Sequence, residues 1–269
     1  MNEVTFPEHT GLALLDLDAE LDRLALRYRK AGGLGIDLLN AIGARADGLL
    51  GRLPGDVRQR LEGATVMALT QAMKAASGSR KMVRDQSNWV NRTVSAAMGA
   101  AGGFGGLPTA LAELPVTTTL LLRVIEAEAH KLGFDTASEN VRFDCVQVFA
   151  AAGPLAEDDG ADIAFLSARV ALSGAAMQAL VARVAPKLAV VLGQKLAAQT
   201  VPVLGAVAGA AVNYAYTSYY AEMAHIHFSL RKLAIDADTP REVLVAKLKE
   251  RLERGKGSRS SSRQMVADR

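Results

Sequence analysis

The chain has 269 residues, half of them apolar, only 5% aromatic and 22% charged, with a formal charge of +3. A core made of Ala, Leu and Val with so few rings gives little preference for sheet and points to an all-α fold. The single cysteine, Cys145, excludes an internal disulfide and fits a reducing compartment, and the acid-bearing N-terminus lacks the apolar core of a secretory signal.

Mean hydropathy is +0.14, high for a chain this charged, so some apolar surface is expected either to meet a partner or lipid or to fill an Ala-rich bundle. In chain order, Thr10 is placed to cap a first helix over 10–31, with Leu14, Leu17, Leu21, Leu24 and Tyr28 at helical spacing. Gly32 and Gly33 are expected to break it. A second helix is predicted over 36–53, and Pro54 suits the opening of a third over 55–76. Ser77 to Ser79, with Arg80, Lys81 and Arg84, reads as a polar connector.

Residues 93–112 hold no charge between Arg92 and Glu113, a length sufficient for a membrane span. The run Gly102-Gly103-Phe104-Gly105-Gly106 and Pro108 instead predict a bend, followed by a helix through Leu132. Gly133 suits a helix C′ position, and Thr136 with Glu139 has the spacing of a capping box opening a helix over 136–151. A Gly153-Pro154 turn and the acids Glu157 to Asp159 form a loop before helices over 161–184 and 186–199. Residues 196–221 are again free of charge, but Gln199, Thr200, Asn213, Thr217 and four tyrosines make them poor hydrocarbon. Thr239, Pro240 and Glu242 predict a capped last helix ending near Arg254. The remainder, 255–269, reads as a disordered tail. From Arg254 onward, Arg254, Lys256, Arg259, Arg263 and Arg269 stand against Asp268, and the body without residues 254–269 carries one net negative charge, so no basic face favours specific nucleic-acid binding. The fold class is therefore an all-α multi-helix bundle with two long Gly-punctuated apolar segments, 93–125 and 184–221.

Two blocks carry a family resemblance. GGFGGLPTALAELPVTTTLLLRVIEAEAHKLGFD, from Gly102 to Asp135, is followed by Cys145-Val146-Gln147-Val148-Phe149. VPVLGAVAGAAVNYAYTSYYAEMAHIHFSLRKL runs from Val201 to Leu233. In content and order they resemble the bacterial EcsC protein family over most of residues 35–235. The resemblance implies a helical, apolar protein of the kind associated with an ABC-transporter operon, with no assigned activity and hence no catalytic residues to carry over. The organisation expected is an N-terminal helix over 1–34, an EcsC-like helical domain over 35–254 and the basic tail over 255–269.

Arg123, Glu126 and His130 fall within about 60° of one another around a helix and, with Glu113, form a candidate polar cluster for an anionic head group or acid–base work. A solvent ladder or an interior ion pair accounts for the same spacing. Glu222 and His225, with His227 nearby, make a lone Glu-x-x-His; carboxylate-bridged metal bundles need two such pairs, so no metal site is assigned and these two remain a weak candidate. Cys145 beside Asp144 reads as a structural thiol, and neither a nucleophile elbow nor a phosphate loop is present. Gly102, Phe104, Gly106, Gly205, Gly209, Tyr216 and Tyr220 are candidates for contact with a membrane or another helix.

No cofactor is expected. The reading is a cytoplasmic protein, peripheral at the inner face of the cell membrane, that docks on that surface or on membrane-protein helices. A lipid-acting or metal-dependent hydrolase with a Glu/His/Arg cleft and a soluble homo-oligomeric interaction protein are the alternatives, and the sequence leaves open whether the chain is an enzyme.

Overall fold

The computed structural model describes residues 16–41, 114–149 and 205–267, together with isolated positions between 51 and 70 and between 182 and 197. Five helices are defined among them, and no strand: α1 (Leu17–Ala41), α2 (Leu114–Lys131), α3 (Glu139–Phe149), α4 (Gly205–Asp236) and α5 (Arg241–Ala267). The fold is all-α. The Gly102–Gly106 bend, Pro108 and Glu113 lie outside the described residues, as do most positions of the helices predicted over 55–76, 161–184 and 186–199.

Thr10 lies outside the described residues, and the cap of α1 is Asp16. Its Oδ1 accepts the Ala19 N–H at 3.0 Å and its carbonyl the Glu20 N–H at 3.0 Å, while Asp18 and Glu20 favour the positive end of the helix dipole. Leu21, Leu24, Ala25, Tyr28 and Ala31 form its buried stripe. The break expected at Gly32-Gly33 does not occur, and α1 continues to Ala41 through the start of the second predicted helix. Two glycines cost a helix about 1 kcal/mol each relative to alanine but do not force the chain out of it.

The α2–α3 connection is closed by hydrogen bonds at both ends. Gly133 takes φ +87°, its N–H reaches the His130 carbonyl at 2.9 Å, and the Phe134 N–H reaches that of Ala129 at 3.0 Å, a Schellman motif. The capping box expected from Thr136 and Glu139 is displaced. Thr136 is buried, and Ser138 Oγ accepts the Val141 N–H at 3.4 Å after an Asx turn from Asp135. The short polar side chain nearest the first helical residue takes the role, two positions later than the pattern suggested.

Helix α4 is the axis of the bundle, with α1, α2, α3 and α5 all packed against it. From Ala215 to Ala221 every residue is buried, and most of the next nine are as well. A stretch enclosed on all sides does not accommodate a solvated charge, which accounts for the absence of charge from Ala215 to Ala221. The helices that carry the described parts of the two long apolar segments, α2 and α4, pack on one another. Among the described residues, no helix is long and apolar enough to cross a membrane. The pairs Phe149–Tyr220 and Asp144–Arg231 set α3 antiparallel to α4, and Glu128–His225, followed by Phe134–Phe228 from the turn just after α2, sets α2 advancing in the same sense as α4. Tyr216, Tyr220, Phe149 and Phe228 are the largest fully buried side chains, and the Phe149 and Tyr220 rings meet at 5.3 Å between centroids.

Asp238 closes α4 at φ +45°, with the Thr239 N–H on the Ala234 carbonyl at 3.1 Å. The Thr239 hydroxyl donates to the Ala237 carbonyl at 3.0 Å instead of capping α5, and Pro240 supplies the first carbonyl of the new helix. α5 extends to Ala267, beyond the end expected near Arg254.

Candidate functional site

Two polar networks flank α4, and each begins from the helical arithmetic of one short segment. His225 and His227 are two residues apart, so they leave the axis about 160° apart around it. One therefore faces α1 and α2 and the other faces α3 and α5.

On the first side, Arg27 of α1 grips Glu222 with two nitrogens, Nε to Oε2 at 2.7 Å and Nη2 to Oε1 at 3.3 Å. Its third nitrogen, Nη1, lies 3.0 Å from His225 Nε2. The opposite ring nitrogen, Nδ1, lies 3.5 Å from Oε2 of Glu128 on α2, whose other oxygen accepts from Lys131 at 2.9 Å. A guanidinium only donates, so Nε2 must carry its lone pair and the ring proton belongs on Nδ1, facing Glu128. The Glu222 hydrogen bond, opposed by burial, holds Arg27 above its ordinary basicity. Glu128 is nearly enclosed, whereas Arg27 and Lys131 are almost half-exposed.

On the second side, Asp144 of α3 accepts from Arg231 Nη1 at 2.5 Å, and its other oxygen lies 3.5 Å from His227 Nε2. Arg241, at the start of α5, places Nη2 against both ring nitrogens of His227, at 2.9 and 3.0 Å. The Arg231 guanidinium also covers the Phe134 ring at 4.9 Å. Complete burial pushes His227 down to about 4, with Asp144 opposing that shift and Arg241 adding to it. Burial pushes the Asp144 carboxyl up, but His227 and the two arginines together leave it below the ordinary carboxylate range. Burial raises the phenols of Tyr216 and Tyr220, so both stay neutral.

The sequence-derived candidates are distributed unevenly across this arrangement. Arg123, Glu126 and His130 lie along α2 as half-buried, buried and exposed positions, but the α2 carboxylate that meets His225 is Glu128. Glu222 and His225 do converge, on the Arg27 guanidinium. Among the described residues, no group of three His, Cys, Asp or Glu side chains is disposed to hold a metal ion. Tyr216 and Tyr220 are buried between helices of this chain, and Cys145 is buried beside Asp144. Gly205 and Gly209 lie in the first turns of α4, while Gly102, Phe104 and Gly106 lie outside the described residues. Arg27, Glu128, Arg231 and Arg241 carry no signal in the sequence. Each looks like an ordinary charge on an amphipathic helix until its partner from another helix is known.

Fold and networks together define an all-α protein in which one apolar helix is enclosed by shorter ones and tied to them by charged side chains near its C-terminal end. The chain belongs to the EcsC protein family, whose pattern it matches over residues 58–233. Glu128, Asp144, Glu222, His225, His227 and Arg231 fall inside that match, and Arg27 and Arg241 outside it. No curated protein and no solved structure matches the chain.

Proposed function

We propose that this EcsC protein is an amphitropic helical module that docks, without crossing, on the cytoplasmic face of the cell membrane. The observation that carries the reading is the polarity of the bundle along α4. α2 is free of charge from Leu114 to Leu122, and α4 from Gly205 to Ala221. Because the two helices advance together, these charge-free starts share one end, and both ion networks lie toward the other. Val116 and Tyr214, 47% and 44% exposed, present apolar surface at the charge-free end. A valine and a tyrosine suit the boundary between headgroups and acyl chains, where a ring buries its face and keeps its hydroxyl wet. The cations from Arg254 to Arg269 add electrostatic attraction to an anionic leaflet, about 1 kcal/mol for each one near the surface.

The hydrolase alternative has less support, since Glu222 and Asp144 are already bonded by guanidinium groups. The test of docking is flotation with vesicles of phosphatidylglycerol and phosphatidylethanolamine, against phosphatidylcholine alone. The protein is expected to float with the anionic vesicles and to be partly released by salt. Recovery in the aqueous fraction with every lipid contradicts the reading. Binding to stripped native membranes but not to pure lipid reassigns the partner to membrane-protein helices.

A further inference from the structure

We infer that His225 is a proton-operated switch that decides whether α1 or His225 itself holds the Glu222 carboxylate. The inference stands on the three-helix junction and is independent of membrane docking. In the neutral state, the Arg27 guanidinium spans Glu222 and His225, donating to both carboxylate oxygens and to Nε2. That geometry requires an imidazole lone pair at Nε2, 3.0 Å from Nη1. Protonation converts Nε2 into a donor facing a donor. Glu222, three residues earlier on the same helix and held by the same guanidinium, is the carboxylate on that face for the new donor to turn to.

The charged groups around the imidazole decide the outcome of protonation. Glu222 is on its own helix, Arg27 comes from α1, and Glu128 with Lys131 comes from α2. Glu128 faces Nδ1, which donates in both protonation states, so the tie from α2 to α4 survives. Arg27 has the opposite fate. It loses its acceptor at Nε2, shares Glu222 with a new donor, and has a route to water because its side chain is 43% exposed. α1 then rests on α4 through Leu21, Leu24, Ala25 and Tyr28, without its ionic anchor there. The groups facing α4 from its other side, Asp144, Arg231 and Arg241, surround His227, not His225. The arrangement joins parts of different standing: Glu128, Glu222 and His225 lie in the family-matched segment, whereas the guanidinium is brought by α1 from outside it.

The test is amide hydrogen exchange of the full chain between about pH 7.5 and about pH 5.5, with rates corrected for the intrinsic pH dependence of exchange. Protection over α1 is expected to fall about three- to tenfold on acidification, the scale of one ordinary hydrogen bond, while α2 and α3 keep theirs. In His225→Gln the fall should vanish with His227 still present. No fall in the wild type, or an equal fall in His225→Gln, overturns the switch. Nitrogen NMR of the imidazoles in the unmodified protein gives a check that needs no variant. At neutral pH His225 must carry its proton on Nδ1, and a ring protonated on Nε2 overturns the inference by itself.

Discussion

Asp144 and Arg231, eighty-seven residues apart, meet at 2.5 Å across the α3–α4 interface, and the same carboxylate is one of the supports of the buried His227. Removing a carboxylate from such a pair leaves a guanidinium poorly compensated in a region largely shut off from water. Asp144→Asn is expected to destabilise the protein by about 3 kcal/mol. Asp22→Ala, whose carboxylate is largely exposed where it meets Arg251, should cost no more than about 1 kcal/mol. Urea unfolding of the two variants side by side checks the contrast, and equal costs would show that burial does not govern these pairs.

Acid should weaken the fold through His227. Its folded value of about 4 lies below the ordinary 6.5, so the unfolded chain binds the extra proton first. Stability is fully present above about pH 6.5 and declines as pH falls toward 4, by on the order of 3 kcal/mol in all. Asp144, also depressed, adds a further loss at lower pH as it takes up its proton. His227→Gln should flatten the slope between about pH 6.5 and pH 4 by close to one proton, whatever its stability at neutral pH. Denaturation midpoints across that range read the slope directly.

Two backbone positions should accept stabilising changes. A Cβ added at Gly33, inside α1, meets no atom within 4 Å, so Gly33→Ala should add about 1 kcal/mol by reducing the freedom of the unfolded chain. Asp238 is exposed and holds φ +45° at the end of α4, a conformation that glycine adopts without strain. Asp238→Gly should add up to about 1 kcal/mol. Higher melting temperatures for both variants are expected, and a fall for Gly33→Ala would argue against a continuous α1.

The aromatic centre should be the costliest place to cut. Phe149 is fully buried against Tyr220, and Phe149→Ala is expected to lose about 3–5 kcal/mol from transfer and cavity terms together. Val243→Ala, at a position 44% exposed on α5, should be nearly neutral. Chemical denaturation of both variants measures the difference.

The sequence was legible where local chemistry acts alone. The Gly133 terminus, the start of α5 near Pro240 and the stripe of Leu21, Leu24 and Tyr28 all follow from spacing within a few residues. Other local signals misled because they permit a structure without compelling it. Gly32-Gly33 allows a break without requiring one, and Thr136 has cap spacing while Ser138 has the better position. The networks were only half legible. Glu222, His225 and His227 stand close enough in sequence to draw notice, but Arg27 lies 195 residues from its carboxylate, and no short-range pattern connects them. Spacing singled out Glu126 and passed over Glu128, because two positions on one helix differ only by a rotation that the neighbouring helices select.

Site-specific labelling tests the docking claim most directly. Cys145 is buried and shielded from a thiol reagent, so a polarity-sensitive fluorophore can be placed at Tyr214→Cys, or at Ile235→Cys near the opposite end of α4. On adding anionic vesicles, the label at position 214 should shift to the blue and gain intensity, while the label at 235 should stay as it is in water. No change at 214, or an equal shift at 235, contradicts docking through the charge-free end.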